Sequence, residues 1–488
     1  MTSWTLRSVR GRHAAALVAA LVGTTFLGSC GGTDARIGDR AGEPAGATRG
    51  ASAAIPRGIA PGVAGEPEML VRLLAQTDLV AVSSLSRMVW VAPLGSMQPP
   101  ARMTAPVRAV LGPNGWELTD ASRLVARFNR SAIVAFAAEE GLVGAAPEVA
   151  GVVAGSPVVG RTGDSTWSRN AGAASASPVI VNGKSYPGIV TLTARTDGSL
   201  STFDVIDRLP LEDYLRGVVA AEMYSGWPLS AYQAQAVAAR SYALSERARA
   251  RAARLPFDVE SGERDQAFGN ADNPLASRAV AETRGVILSW RGHPMRAYFS
   301  STCGGRPASA RDTWPSTGDM LFNLDGPIQG STRDHACTES PSYRWSVTRG
   351  TRELVERFRA FGRYHGSPLK NLSGIDSIRP AGVNGSGRTN SFLIVQPGGQ
   401  SILITGEELR RAANFETPGQ PAITAQSRVP SSDAEVVIAG DRVGLSGRGF
   451  GHGVGMCQWC AKGFAEKGQT WQSMLARFYP GAKLERVY

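Results

Sequence analysis

Long apolar segments are scarce in this chain of 488 residues. Beyond one run close to the N-terminus, no segment approaches the about eighteen apolar residues that a membrane helix needs, so we expect no further membrane span. We find no internal repeat of fixed period, which excludes a repeat array. The content of 43% hydrophobic and 19% charged residues is ordinary for a globular protein and excludes disorder of the whole chain.

Acidic residues are fewer than basic ones, and the formal net charge is +11. A basic surface favours anionic partners. The sequence contains no nucleic-acid-binding motif, so we expect no nucleic acid partner. For a protein outside a cell, wall polymers and lipid head groups are the anionic partners to expect.

The N-terminus has the features of an export signal. Arg7, Arg10 and Arg12 precede the short apolar run AAALVAALVGTTFLG, which predicts a signal peptide over residues 1–29. Residues 27–30, LGSC, resemble the bacterial lipobox, in which the cysteine is lipidated. We therefore expect an extracytoplasmic protein that Cys30 anchors to the outer face of the cell membrane, with ordinary secretion as the alternative. Removal of the three arginines and no acids lowers the formal charge to +8.

The next two segments differ sharply in composition. Residues 30–67 are rich in glycine, alanine and proline without periodicity, which predicts a flexible tether behind the anchored cysteine. Residues 68–205 contain short apolar runs separated by turn residues, such as EMLVRLLAQ and SAIVAFAA, which predict a β-rich part. Residues 196–199, TDGS, have the composition of a hairpin turn between two alternating strands.

A helical pattern follows at residues 208–244. Apolar residues at helical spacing form one stripe, and the next position on the same face, one helical turn after the stripe, is Glu222. A Ser-Gly-x-Pro sequence that ends the helix follows directly. On a second predicted helix, Gln233 and Arg240 share the apolar face. A buried ion pair between Glu222 and Arg240 and a general acid in a cleft both agree with this spacing. The stripe of the first helix consists of Leu211, Tyr214, Leu215, Val218 and Val219.

Several long motifs in this order resemble the stage II sporulation protein D family, which includes the amidase enhancer proteins. They are LEDYLRGVVAAEM, DQAFGN, AVAETRGVIL, AYFSSTCGGR and GRGFGHGVGMCQWCA. The resemblance covers roughly residues 68–488. It implies a lytic transglycosylase that cuts peptidoglycan glycan strands, preferably strands stripped of stem peptides, with Glu222 as the catalytic acid.

A single carboxylate suffices for that reaction. A glycoside hydrolase needs two, whereas one glutamate in a lytic transglycosylase first protonates the glycosidic oxygen and then accepts a proton as a 1,6-anhydro ring closes. We expect Glu212 and Asp213 to be surface or helix N-terminal charges. The family also implies an alternative, a non-catalytic glycan-binding protein that stimulates a cell-wall amidase.

Further residues are candidates for binding substrate. Glycines alternate from Gly447 to Gly455 around His452, which allows positive φ values and close approach of the backbone to a ligand. The resemblance implies that His452 and Gln458 line the cleft. The candidate substrate-binding set is Arg240, Tyr242, Ser300, Ser301, His452 and Gln458.

Beyond Cys30, the cysteines are Cys303, Cys337, Cys457 and Cys460. An oxidising compartment favours disulfides, and we expect Cys303 to pair with Cys337. Cys457 and Cys460, at a predicted helix start, are expected either to form a strained bridge or to stay reduced. Because some family members hold zinc beside the cleft, a zinc site of Cys303, His335 and Cys337 is the alternative, and otherwise no cofactor is expected.

The predicted fold class is α+β. A β-rich framework holds a helical pair with the catalytic glutamate, and the cleft lies between this core and an embedded α+β module. The expected parts are the catalytic core at 206–340, the module at 341–440, and the glycine-rich loop with a C-terminal helix at 441–488.

Overall fold

The computed structural model describes residues 65–95, 100–139, 178–197, 199–262, 265–269, 273–330 and 334–488. The predicted signal peptide, Cys30 and nearly all of the predicted tether lie outside these residues. Within the described ranges, no helix combines the length and the apolar character that crossing a membrane requires. The fold is α+β and rich in strands, which confirms the predicted class.

Two sheets form the N-terminal part. A seven-stranded sheet has the order β13-β1-β12-β11-β8-β3-β4, a six-stranded sheet has the order β10-β9-β2-β5-β6-β7, and their facing side chains form one apolar core. The first twelve strands are β1 (Glu68–Thr77), β2 (Leu79–Ser84), β3 (Met88–Pro93), β4 (Ala101–Thr104), β5 (Val107–Gly112), β6 (Gly115–Thr119), β7 (Val125–Phe128), β8 (Val134–Ala138), β9 (Val179–Val181), β10 (Lys184–Tyr186), β11 (Ile189–Ala194) and β12 (Phe203–Pro210).

The alternating sequence explains these strands. In β5, Val107, Ala109 and Leu111 are buried, whereas Arg108 and Val110 face solvent, because successive side chains point to opposite faces of a sheet. Strands β11 and β12 pair antiparallel on either side of the predicted turn at 196–199. The described residues of this part are therefore mostly in strands.

The remaining strands are short or belong to three-stranded sheets. They are β13 (Val259–Glu260), β14 (Val286–Trp290), β15 (His293–Pro294), β16 (Phe299–Ser300), β17 (Trp345–Gly350), β18 (Ser377–Val383), β19 (Thr389–Val395), β20 (Ser401–Thr405), β21 (Ala434–Ala439), β22 (Arg442–Gly447), β23 (Met456–Cys457) and β24 (Lys483–Arg486). Strands β16 and β23 pair in parallel, so the two ends of the long segment between them lie side by side.

Eight α-helices are described in these ranges. They are α1 (Leu211–Glu222), α2 (Leu229–Ala252), α3 (Pro274–Glu282), α4 (Ala310–Thr313), α5 (Thr351–His365), α6 (Gly406–Ala413), α7 (Gln458–Glu466) and α8 (Trp471–Phe478). Helices α1, α3, α7 and α8 pack around α2, and the predicted apolar stripe of α1 is fully buried. The final helix ends at Phe478, and Gly481 lies in the turn beyond it.

Two polar assignments on these helices are wrong. Gln233 is partly exposed and donates to Glu282 (2.6 Å), whereas Gln235 is fully buried. Arg240 does not pair with Glu222: it donates from Nε and Nη2 to both carboxylate oxygens of Glu212 (2.8 and 2.7 Å). Glu212 is therefore not a surface charge, because Gly285 and Tyr488 also contact its carboxylate, but it does lie in the first turn of α1, which is the other position expected for it.

The embedded module has its own apolar core. Sheet β17-β22-β21 and sheet β18-β19-β20 pack with α5 and α6 around residues such as Phe358 and Leu409. Strand β22 pairs with β17 and β21, so the module continues to Gly447, beyond the predicted boundary at residue 440. The boundary predicted from the sequence is wrong because a two-residue turn joins β21 to β22, and both strands belong to the same sheet.

The buried Arg240–Glu212 pair yields a stability prediction. Arg240→Ala leaves the Glu212 carboxylate buried without its cation, so we expect the free energy of unfolding to fall by about 3–5 kcal/mol. Arg216→Ala on α1 removes a solvent-exposed pair with Asp213 (3.0 Å) and is the control, with an expected loss of at most about 1 kcal/mol. Urea unfolding followed by circular dichroism measures both. Equal losses of unfolding free energy in the two variants would contradict the prediction that the buried pair stabilises this core more than the exposed one.

Candidate functional site

Glu222 is the last residue of α1, one turn beyond Val218 of the buried stripe. The next residue, Met223, is extended, and Gly226 adopts a φ of +82°, which ends the helix and turns the chain toward α2. The Glu222 side chain is only 4% exposed. The C-terminal end of the helix therefore delivers the Glu222 carboxyl group into the interior, as the spacing predicts, while Glu212 is buried at the other end of the same helix.

Two hydrogen-bond donors from distant parts of the chain meet this carboxyl group. The backbone N–H of Ala267 donates to Oε1 (3.1 Å), and the Gln458 amide nitrogen lies 3.3 Å from Oε2. The same nitrogen contacts the main-chain oxygen of Glu222 (3.3 Å) and Oε1 of Gln235 (3.4 Å). Gln458 therefore contacts the Glu222 carboxyl group, its predicted role in binding substrate stays a prediction, and Gln235 is a neighbour that the sequence did not reveal.

The pKa of Glu222 is raised from 4.5 to about 8. Burial is the main cause, because removal from water disfavours the charged form, while the hydrogen bonds from Ala267 and Gln458 lower the pKa and offset part of the rise. Neither donor carries a full charge. At neutral pH Glu222 is therefore mostly a neutral acid that has a proton to give.

Two buried tyrosines hold the segment that carries Ala267 through hydrogen bonds to the residues just before it. Tyr242 donates from its hydroxyl to Asp265 Oδ1 (2.9 Å), and Tyr214 donates to Gln266 Oε1 (3.0 Å). Tyr242 is nearly fully buried. Its contacts support the backbone that holds Glu222, so they argue against the predicted direct contact of Tyr242 with substrate.

Arg240 does not belong to this site. Its guanidinium is fully buried, and besides Glu212 it donates to the main-chain oxygens of Val286 (3.0 Å) and Val280 (3.3 Å). A side chain held in this way cannot contact a sugar. The structure therefore contradicts the predicted substrate-binding role of Arg240.

Three aromatic rings, from residues close to Glu222 and Gln458 in the sequence, contact one another. Tyr224 and Trp227 follow Glu222 in the chain, and Trp459 follows Gln458, with ring centroids 5.2 Å (Tyr224–Trp227), 5.1 Å (Trp227–Trp459) and 6.0 Å (Tyr224–Trp459) apart. Tyr224 is 43% exposed. Sequence reasoning missed this aromatic cluster, although the adjacency of its members to Glu222 and Gln458 was a usable signal.

The other predicted substrate residues lie on β16 and in the glycine-rich loop. His452 is buried, accepts from the Val454 N–H at Nδ1 (3.0 Å), and packs its ring against Trp314 (4.9 Å). Ser300 is also buried. Ser301 is half-buried, and its carbonyl accepts from the backbone N–H of Trp459 (3.0 Å). Substrate binding by Ser300, Ser301 and His452 stays a prediction.

The alternating glycines of this loop serve the fold of the chain itself. Gly449, Gly451, Gly453 and Gly455 all have positive φ values, as expected. A Cβ atom at Gly455 would lie 2.0 Å from the carbonyl oxygen of Tyr298. The glycines therefore allow backbone to approach backbone, where the sequence suggested approach to a ligand.

The cysteines are arranged differently from both predictions. All four described cysteines are free and buried, and the Cys303 sulfur lies 3.7 Å from the sulfurs of both Cys337 and Cys460. The structure thus contains no Cys303–Cys337 disulfide. His335 does not complete the alternative zinc set, because it is exposed and stacks on Tyr343, while Cys457 and Cys460 join the other two thiols instead.

Comparison with known protein families matches two segments of the chain. Residues 199–290 match the family described as Stage II sporulation protein. This segment contains both Glu222 and Ala267. Residues 327–455 match a family described as a domain of unknown function, and they span the embedded module and most of the glycine-rich loop.

Individual relatives cover similar parts of the chain. An uncharacterized protein of Brachyspira hyodysenteriae is 28% identical over 306 residues, which span 62% of this chain and 73% of the relative. The stage II sporulation protein D of Bacillus subtilis is 27% identical over 297 residues, or 58% of this chain and 76% of that protein. The amidase enhancer of Bacillus subtilis is 26% identical over 306 residues, or 55% of this chain but only 40% of the enhancer.

The raised pKa of Glu222 yields a prediction for stability against pH. Between pH 4.5 and about 8 the native state keeps a proton that the unfolded chain releases, so stability from this group is lost as pH rises through this window. Glu222→Gln removes the titration, and we expect its stability relative to wild type to rise by up to about 1.4 kcal/mol per pH unit. Urea unfolding from pH 5 to 9 measures the difference. Asp213→Asn on the same helix is the control, and a pH-independent difference for Glu222→Gln would contradict the prediction.

Proposed function

Because this chain belongs to the stage II sporulation protein D family, we propose that it is a peptidoglycan lytic transglycosylase. Its substrate is the glycan strand, preferably without stem peptides, and its product ends in 1,6-anhydromuramic acid. The observation that carries the proposal is the neutral, buried carboxyl group of Glu222 with two N–H donors aimed at its oxygens.

In the first step Glu222 acts as the acid. Its proton passes to the glycosidic oxygen while the bond from C1 to that oxygen breaks, and the electron pair stays with the leaving sugar. Glu222 becomes a carboxylate. The Ala267 N–H and the Gln458 amide then donate to a full negative charge, and hydrogen bonds to a charged group are stronger than those to a neutral one. The site thus stabilises the charge that develops during bond cleavage.

In the second step the same group acts as the base. The muramic acid 6-hydroxyl attacks C1, a C1–O6 bond forms, and the hydroxyl proton returns to Glu222. The enzyme regains its starting state, and no water molecule is consumed. One carboxyl group whose pKa lies near the working pH serves both steps, which agrees with the isolated position of Glu222 on an otherwise apolar helix face.

In the aromatic cluster, the exposed Tyr224 and the half-buried Trp459 offer a surface for sugar rings, whereas Trp227 is buried. Aromatic side chains bury large apolar areas with a defined geometry, and the apolar faces of a pyranose suit such contacts. Because the cluster flanks Glu222 and Gln458 in the chain, a strand bound on it lies near the acid.

The alternative function is a glycan-binding protein that stimulates a cell-wall amidase. Similarity to a protein named amidase enhancer favours it, and the aromatic cluster serves strand binding equally well without cleavage. Both functions require a position outside the cytoplasm. For either function we propose export through residues 1–29 and anchoring through Cys30 at the outer face of the cell membrane.

A product assay separates the two functions. Peptide-free glycan strands incubated with the protein are analysed by mass spectrometry for 1,6-anhydro ends, which we expect from wild type. Glu222→Gln keeps the shape of the side chain but has no proton to transfer, so we expect at least a hundredfold slower release, in line with about 10²–10⁴ for general acid–base groups. Wild type that binds strands and accelerates an amidase without producing anhydro ends would establish the alternative.

The aromatic cluster is tested by Trp459→Ala. We expect KM for glycan strands to rise about tenfold, equivalent to about 1.4 kcal/mol of binding, with a smaller change in kcat. Trp459→Phe retains an aromatic face and is expected to recover most of the affinity. A loss confined to kcat, with KM unchanged, would remove the cluster from the binding surface.

A further inference from the structure

Four buried thiols converge from three separate parts of the chain. Cys303 follows β16, Cys337 precedes the embedded module, and Cys457 and Cys460 lie in β23 and the first turn of α7. All four sulfur atoms lie within 4.8 Å of one another. Four thiols this close together indicate either disulfides or a shared metal ion.

The sulfur separations fit a tetrahedral metal site. Four thiolates at the about 2.3 Å typical of zinc–sulfur bonds stand about 3.8 Å apart along the edges of the tetrahedron. The Cys303 sulfur lies 3.7 Å from those of both Cys337 and Cys460. Disulfides would join the sulfurs in pairs at about 2.0 Å, whereas here one sulfur has two neighbours at equal distance.

Backbone N–H groups surround the sulfurs as they do for thiolate ligands. Cys457 Sγ accepts from the N–H of Cys303 (3.2 Å) and of Cys460 (3.4 Å), and Cys460 Sγ accepts from the N–H of Ala336 (3.4 Å). Binding of a zinc ion by four thiols releases four protons and leaves a net charge of −2 on the site. These donors, together with the buried guanidinium of Arg388, which interacts electrostatically with Cys303, offset that charge.

We propose that Cys303, Cys337, Cys457 and Cys460 bind one zinc ion in a closed, structural site. Four thiolates in tetrahedral arrangement select zinc or iron among the common metals, and a site with four protein ligands has no position for substrate or water. The ligand set differs from the expected one of Cys303, His335 and Cys337. The metal site does not depend on the proposed glycan reaction.

Two of the four cysteines lie next to the candidate site in the sequence, so a bound zinc ion would also affect Gln458. Cys457 and Cys460 flank Gln458 and Trp459, and Cys303 fixes the end of β16 beside them. The zinc ion therefore clamps the start of α7 to the core, and with it the amide that contacts Glu222. Zinc acts here as a positioning group that never touches the reacting atoms.

Metal analysis of the full-length protein tests the site directly. We expect one zinc per chain by elemental analysis, and X-ray absorption showing four sulfur ligands at about 2.3 Å. Mass spectrometry under non-reducing conditions should find all four cysteines without disulfides. Disulfides among them, or four thiols in a protein that carries no metal after zinc-supplemented expression, would overturn the proposal.

Two variants assign the ligands. Cys337→Ser, at a position outside α7 in the sequence, is expected to lose zinc, and His335→Ala is expected to retain it. Zinc loss from His335→Ala would restore the ligand set expected from the sequence and overturn ours. If Cys337→Ser does not fold, the absorption spectrum of wild type still decides the ligand set.

Hydrogen exchange tests the clamp without any glycan. Removal of zinc with a chelator is expected to increase amide exchange in residues 457–466, while β5 and β6 in the N-terminal sheet keep their protection. Unchanged exchange in α7 after zinc removal would overturn the clamp. Because neither readout involves glycan, the result is independent of whether the protein cleaves strands or only binds them.

Discussion

The site depends on a carboxyl group held out of water. Glu222 is buried at the end of α1, and the hydrogen bonds that its carboxyl oxygens accept from described residues come from the neutral donors of Ala267 and Gln458. Because these donors carry no full charge, they offset only part of the desolvation cost, and the proton stays on the carboxyl group. If Arg240 occupied that place, the same residue would be a permanently charged structural anion. Because Arg240 pairs with Glu212 instead, Glu222 can stay neutral.

Three distant segments have to meet for this to happen. Helix α1 brings the acid, the segment after Asp265 brings the Ala267 N–H, and the start of α7 brings Gln458. The parallel pairing of β16 with β23 brings the chain back to the core after the embedded module.

The position of Glu222 was predictable because it follows from local periodicity. The buried stripe of α1 fixes the direction of each side chain, and one more turn puts residue 222 inside. The strands of the N-terminal sheets were predictable for the same reason. On α2 the method failed, because that helix is packed on nearly every side and its polar residues follow no stripe, so Gln233 was chosen where Gln235 is buried.

Contacts between distant segments were beyond the sequence. Nothing in the spacing of Glu212 and Arg240 indicates that they pair, and four cysteines allow several pairings that compartment alone cannot rank. The distances between their sulfurs, which decide between a disulfide and a metal site, exist only after the chain has folded. Motifs supplied the family, while the partners of each side chain required coordinates.

The most direct test of this account is the titration of the Glu222 carboxyl group itself. Carbon-13 NMR of the protein labelled at the glutamate side-chain carboxyl, with Glu222→Gln used to assign the signal, gives its pKa in the folded state. The account predicts a midpoint near pH 8, as burial requires. A midpoint near 4.5, the value of an ordinary glutamate, would contradict it, because the group would then have no proton to give at neutral pH.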